Sequence, residues 1–397
     1  MKMNYRLELQ KLSLQIEETK DQEERKQLLK QAIDIADMNN DYYEGIDLRY
    51  QLIEEEQNVD FRIKLWKQSI QLADSAKDLE ESFYLRKELI EEETLSTAKC
   101  IDSFPAMTWI LNAVDTYPDR FNEDEVLWQY KWLANSAIDN SNVSYAQIEE
   151  VLNDLKIRLE RNGYGLGAYY VPKIEWDISR GYIESAIHTI KERDNYGRDG
   201  MSDCEACEQN LKIRVKLLAG QIEEALQDMN EMKIKKLTCA EVPFETYTYL
   251  TYYLNKCQVG NADEFFNKGL NEIQENAEPN IIEGISRLIN YASYFDKEHA
   301  LLLFEKYANW QLGAEDCALF NISLNFLKLF QQDNILDIKG LSSEFPFYNS
   351  NQKYDSHKIY NYYLEQAQKL ADKFDARNQT DNFNTLLKKE IEFNQVH

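Results

Sequence analysis

Glycine and proline are scarce in this chain, at 13 and 6 of 397 residues. So few breakers exclude a fold made mainly of tight turns. With 43% hydrophobic residues they also exclude general disorder. Histidine is rarer still: His188, His299, His357 and His397 are the full set, none pairs with another at i,i+4, and no HExxH frame occurs. The six cysteines, Cys100, Cys204, Cys207, Cys239, Cys257 and Cys317, are too sparse for a disulfide framework. The opening residues MKMNYRLELQKLSLQ have no apolar signal core, so reduced thiols in a cytoplasm are expected. Apolar runs of membrane-crossing length are missing. Positive charge is in deficit, with 45 Lys and Arg against 70 Asp and Glu, a formal net charge of −25. Such a field repels phosphate backbones and anionic lipid, which argues against nucleic-acid and membrane partners. It leaves a basic protein or peptide as the electrostatically matched partner, although most surface charge serves solubility. No nucleophile elbow, kinase set or Walker motif is present. The glycine-rich Gly163-Tyr164-Gly165-Leu166-Gly167 follows a helical pattern and lacks a following Lys-Ser/Thr, so it reads as a joint.

What the chain does have is repetition. Residues 30–56 read KQAIDIADMNNDYYEGIDLRYQLIEEE and residues 67–93 read KQSIQLADSAKDLEESFYLRKELIEEE, an offset of 37 with 14 of 27 positions identical. Leu29, Ile33 and Ala36 share one helix face, as do Trp66, Ile70 and Ala73. Polar breaks at Asn39-Asn40-Asp41 and Lys77-Asp78 end the first helix of each copy, and the Asp can cap the second. The glutamate runs at residues 54–56 and 91–93 are most simply solvated helix ends. A period in this range is the signature of a helical solenoid, which presents an extended surface.

The second half keeps the rhythm with a glycine set five residues before a packing position. The pairs are Gly181 and Ala186, Gly220 and Ala225, and Gly260 and Phe265, offset by 39 and 40 residues. A glycine there can end a helix in the left-handed region. This spacing and repeat length resemble tetratricopeptide repeats (TPR). Asn40/Gly45, Lys77/Ser82 and Phe295/Ala300 hold the equivalent places, while Phe265 replaces the usual alanine and the family's repeat-end proline is mostly missing. The resemblance covers most of residues 20–335 and implies an all-α, right-handed α-solenoid of stacked, degenerate TPR-like helix pairs. The expected organisation is repeats over 1–98, an irregular helical segment over 99–165, repeats over 166–335, and a loop with capping helices over 336–397.

One segment is not explained by packing. Cys204 and Cys207 sit i,i+3 at an expected helix start, with Ser202 or Asp203 as its cap, and Cys239 opens the next helix pair. Structural thiols, a zinc site and a redox pair all remain open. Zinc would need a fourth ligand, for which Asp203, Glu241 and His188 are the candidates. Asp203-Cys204-Glu205-Ala206-Cys207 and Thr238-Cys239-Ala240-Glu241-Val242-Pro243 resemble runs in a group of bacterial TPR-like proteins, a resemblance that brings no catalytic role. Tyrosine is abundant, at 25 residues. Packing between repeats is its first role, but Tyr249, Tyr252 and Tyr253 on one helix are candidates for a partner-binding groove.

The expected function is therefore a non-enzymatic cytoplasmic scaffold. It would bind a peptide or protein partner, of basic character in an inhibitor- or immunity-like version, along an acidic, Tyr-rich concave face. It needs no cofactor. The alternative is a metal- or redox-responsive regulator built on Cys204, Cys207 and Cys239, with zinc as the metal.

Overall fold

The computed structural model describes residues 4–97, 100–273, 277–332 and 334–396; His397 lies outside them. Among the described residues there are nineteen α-helices and one two-stranded ribbon, so the chain is all-α and built of helix pairs packed on their neighbours. No described helix is long and apolar enough to cross a membrane. Two compact units divide at Gln129 and Tyr130, inside the segment 99–165 set apart in the sequence.

The first unit contains α1 (Tyr5–Glu18), α2 (Gln22–Met38), α3 (Tyr42–Glu55), α4 (Val59–Ala76), α5 (Leu79–Ser96), α6 (Ser103–Thr116) and the start of α7 (Leu127–Asp139). The two sequence copies are the pairs α2–α3 and α4–α5. Their apolar stripes are buried as expected, at Leu29, Ile33, Ala36, Trp66, Ile70 and Ala73. Asp78 caps α5 by accepting from the Glu81 amide at 3.0 Å. Asp41 makes no such cap on α3, although each Asp accepts from a tyrosine hydroxyl, Asp41 from Tyr5 at 3.3 Å and Asp78 from Tyr43 at 3.1 Å. The identities also encode a clamp. Arg49 grips Asp37 through both guanidinium nitrogens at 2.6 and 3.0 Å, and Arg86 grips Asp74 at 2.8 and 3.0 Å. Each Arg also donates to a carbonyl one turn back, that of Gly45 or Ser82. Planar two-point pairing fixes the angle between the two helices of a pair.

The glutamate run at 91–93 is not a solvated helix end. Glu92 pairs with Arg62 at 2.8 Å. Glu93 is fully buried and accepts from the Ser103 amide at 2.7 Å, the Ser103 hydroxyl at 2.6 Å and the Asp102 amide at 3.2 Å. Its carboxylate thus satisfies the open amides at the start of α6, where an anion is favoured.

The second unit carries the rest of α7, then α8 (Tyr145–Arg161), α9 (Gly167–Ser179), α10 (Ile183–Asp194), α11 (Glu205–Leu218), α12 (Ile222–Ile234), α13 (Phe244–Cys257), α14 (Ala262–Glu272), α15 (Ile282–Phe295), α16 (Lys297–Tyr307) and α17 (Asp316–Phe330). Gly181, Gly220 and Gly260 all adopt positive φ, at 75°, 72° and 72°, as their spacing implies. Ala186 and Ala225 are fully buried where the next helix packs close. The loop expected in the stretch 336–397 is bracketed by β1 (Ile335–Asp337) and β2 (Lys353–Asp355), antiparallel with Leu336 opposite Tyr354. Strands of three residues are too short to show an alternating pattern.

The chain closes with α18 (Ser356–Asn378) and α19 (Asn382–Val396). Asp375 caps α19, accepting from the amides of Phe383 and Asn384 at 2.9 Å each. This pair folds back along its unit. Arg377 donates to the carbonyls of Ile138 and Asn140 at 2.8 and 2.9 Å, and Asn378 to that of Ser179 at 2.9 Å. Glu390 on α19 accepts from Tyr252 at 2.9 Å and Lys256 at 2.7 Å on α13, and from Asn290 on α15 at 3.3 Å.

Candidate functional site

In the second unit the first helices of successive pairs, α9, α11, α13, α15 and α17, share a polar face. Side chains one repeat apart bond directly. Arg214 pairs with Glu175; Asn210 donates to Glu245 at 2.8 Å and accepts from Thr246 at 2.6 Å; Arg214 donates to the Tyr249 hydroxyl at 3.3 Å. Further along, Arg287 donates to Thr248 at 3.2 Å, Asn325 to Ser286 at 2.8 Å, and Asn321 to Glu283 at 3.3 Å. Each bond spans 35 to 39 residues, one repeat period. The ladder satisfies polar groups that would otherwise face a neighbouring helix unpaired, which is costly.

Acid exceeds base on this face. Asp139, Glu175, Glu245 and Glu283 are half-buried; Arg214 and Arg287 lie among them, and Arg377 on α18 lies beside Asp139. Burial, then the charges of Glu175 and Glu283, push the Asp139 carboxyl up to about 7. Burial and Glu241 push that of Glu245 up to about 7, against the pull of Arg287 and Arg214. Cys317, beside Asp139, is driven well above the ordinary thiol range by burial. None of Asp139, Glu175, Glu283 or Cys317 stood out in the sequence, because a period of 35 to 39 with changing residue types leaves no self-similarity.

The candidate tyrosines lie on α13 beside this face. Tyr249 is buried, with the Arg287 guanidinium 3.9 Å from its ring centre. Tyr252 and Tyr253 are half-buried and stack edge to face at 5.2 Å. The Tyr252 hydroxyl is taken by Glu390. Tyr249 thus takes part in the ladder and Tyr252 in holding α19.

The second candidate is the thiol cluster. Its three sulfurs, Cys204, Cys207 and Cys239, lie within 4.8 Å of one another, and those of Cys207 and Cys239 are 3.5 Å apart. The sequence left open whether these thiols meet; the fold brings all three together. The cap of α11 is Cys204 itself, whose sulfur accepts from the Cys207 amide at 3.3 Å, in place of Ser202 or Asp203. Asp203 is instead bound to Lys131, which is 2% exposed and donates to it at 2.6 Å and to the Met201 carbonyl at 3.0 Å. Arg198 donates to the Asp203 carbonyl at 2.6 Å. The Cys239 amide donates to the Val242 carbonyl at 2.9 Å, closing the turn that presents its thiol. Cys204 and Cys239 are exposed and Cys207 is half-buried. Although Cys207 lies in the first turn of α11, burial raises its thiol, reinforced by hydrogen bonds to Cys204 and Cys239.

No described His, Cys, Asp or Glu adds a fourth ligand atom to the cluster. Of the three sequence candidates, Asp203 is held by Lys131, His188 stands 3.6 Å from Glu192 on its own helix, and Glu241 contributes no ligand atom. The glycine-rich joint is also occupied from within, since the Gly165 amide donates to Asp199 at 2.8 Å. No protein-family model matches this chain, and no curated protein is significantly similar to it.

Proposed function

We propose that this chain is a non-enzymatic cytoplasmic interaction scaffold whose second unit receives a basic segment of a protein partner on its acidic inner face. The observation that carries the reading is the surplus of half-buried carboxylates, Asp139, Glu175, Glu245 and Glu283, over the arginines near them, Arg214, Arg287 and Arg377. Burial, then neighbouring carboxylates, raise two of those carboxyls, Asp139 and Glu245, to about 7, more than the nearby arginines offset. An arginine or lysine from a partner supplies the missing charge and gains a low-dielectric, hydrogen-bonding environment. The net charge of −25 adds long-range attraction for such a partner and slows the approach of nucleic acid. An inhibitor- or immunity-like role, in which the scaffold masks a basic partner, is the specific form this chemistry suits best.

The test is capture of the partner by wild type and by Glu175→Gln, each at low and high ionic strength. Capture should weaken with salt, since exposed charge pairs are screened, and weaken again in the variant. Binding that ignores both salt and Glu175→Gln refutes the reading and points to an apolar contact.

A further inference from the structure

We propose that Cys204, Cys207 and Cys239 form a binding site for a thiophilic metal ion of the zinc class, held by three sulfurs with its fourth position open to solvent. This goes beyond the scaffold reading and uses none of the residues on which that reading rests. The argument begins with spacing. Zinc–sulfur bonds of about 2.3 Å put tetrahedral ligand sulfurs about 3.8 Å apart. The cluster fits: its sulfurs lie within 4.8 Å of one another, with one pair at 3.5 Å. A disulfide accounts for only two of the three thiols. The convergence itself needs a reason, since Cys207 and Cys239 are 32 residues apart in sequence and belong to different helix pairs.

The surroundings hold the ligands in place without competing for the ion. Cys204 is fixed by its bond from the Cys207 amide, and Cys239 by the turn closed on Val242. The loop delivering Cys204 is pinned from beneath by the buried Lys131 ammonium and from outside by Arg198. Amides at the start of α11 favour negative charge on sulfur. On binding M²⁺, each thiol releases its proton to solvent as its sulfur coordinates. The resulting centre carries a net charge of −1, and the field of Lys131 reaches Cys207 with the opposite sign. Exposure of Cys204 and Cys239 gives the ion its way in and leaves the fourth position to water or to a donor from outside the chain. Structural zinc sites close all four positions with protein ligands; an open one accepts an exogenous ligand.

The test uses the full-length chain equilibrated with Zn²⁺ against a competing chelator, then analysed for metal. About one zinc per chain is expected, lost in Cys204→Ser, Cys207→Ser and Cys239→Ser and kept in Cys257→Ser, whose thiol is exposed but remote. A second measurement needs no variant. Alkylation mapped by mass spectrometry on wild type should show Zn²⁺ blocking Cys204 and Cys239 while leaving the rate at Cys257 unchanged. Full retention of zinc in Cys239→Ser overturns the proposal. So does equal protection of Cys257, or a Cys207–Cys239 disulfide that forms as readily with Zn²⁺ present as without it.

Discussion

Replacing Glu390 by alanine should loosen the second unit at α19 and the helices it touches, and leave the first unit alone. Glu390 is 3% exposed and its partner Lys256 has a side chain 14% exposed, so the pair is shielded from water. Burial already pulls the Lys256 ammonium below its ordinary range, and only Glu390 pulls it back. Without that carboxylate, Lys256 keeps the Tyr294 hydroxyl at 3.1 Å and the ring of Phe393 at 4.1 Å, neither of which balances a charge. Breaking a buried pair by deleting one member costs about 3–5 kcal/mol. Glu390→Gln keeps an acceptor for Tyr252 and should cost roughly 1.5–3 kcal/mol, the usual worth of a hydrogen bond to a charged group. The sign with pH is fixed. A lysine whose folded pKa is depressed binds its proton more weakly folded than unfolded, so the deficit of the alanine variant should shrink as pH rises toward about 10. Hydrogen exchange followed by peptide is the assay, because a two-unit chain has no single unfolding free energy. At about 1.4 kcal/mol per tenfold, protection in α13, α15 and α19 should fall by roughly two to three and a half orders of magnitude. A loss under about 1 kcal/mol there, or an equal loss in α2–α5, refutes the reasoning.

Two other outcomes follow from the same unit. Asp139→Asn should have no effect near pH 4 and stabilise the chain progressively above it, up to about pH 7. The raised carboxyl of Asp139 makes the folded state hold its proton longer than the unfolded one, so its contribution falls across that window; thermal melts of both proteins over the range check this. Gly284→Ala places a Cβ 2.6 Å from the buried ring of Phe244 and should cost about 1–3 kcal/mol in chemical denaturation, through overpacking between α13 and α15.

The first unit was legible because its two copies agree in residues that do physical work. Asp37 and Asp74, Arg49 and Arg86, and the leucines and alanines around them are identities, and each identity proved to be a clamp or a buried position. Legibility failed where a residue type has two fates that local sequence does not separate. Glu93 looks like its neighbours in a glutamate run, yet it turns inward because the start of α6 arrives there with open amides. Asp41 and Asp78 occupy the same place in their copies, and each accepts from a tyrosine hydroxyl, that of Tyr5 and that of Tyr43, yet only Asp78 also caps its helix.

The same limit governs the candidate sites. The C-x-x-C pair announced itself, but the third sulfur became a neighbour only through the packing of α11 against α13 and the turn at Val242. Tyr252 was singled out for its type, and its actual partner, Glu390, lies 138 residues away on a helix with no sequence tie to α13. A contact of that length is chosen by what the assembled repeats leave unsatisfied: Lys256 and Tyr252 present donors from one helix, Asn290 from the next, and the closing helix supplies the one carboxylate that meets all three. The polar face next to it has the opposite imbalance: Asp139, Glu175, Glu245 and Glu283 outnumber Arg214, Arg287 and the Arg377 that α18 brings beside Asp139. By the same rule that places α19, the basic partner proposed above would gain most on that stretch.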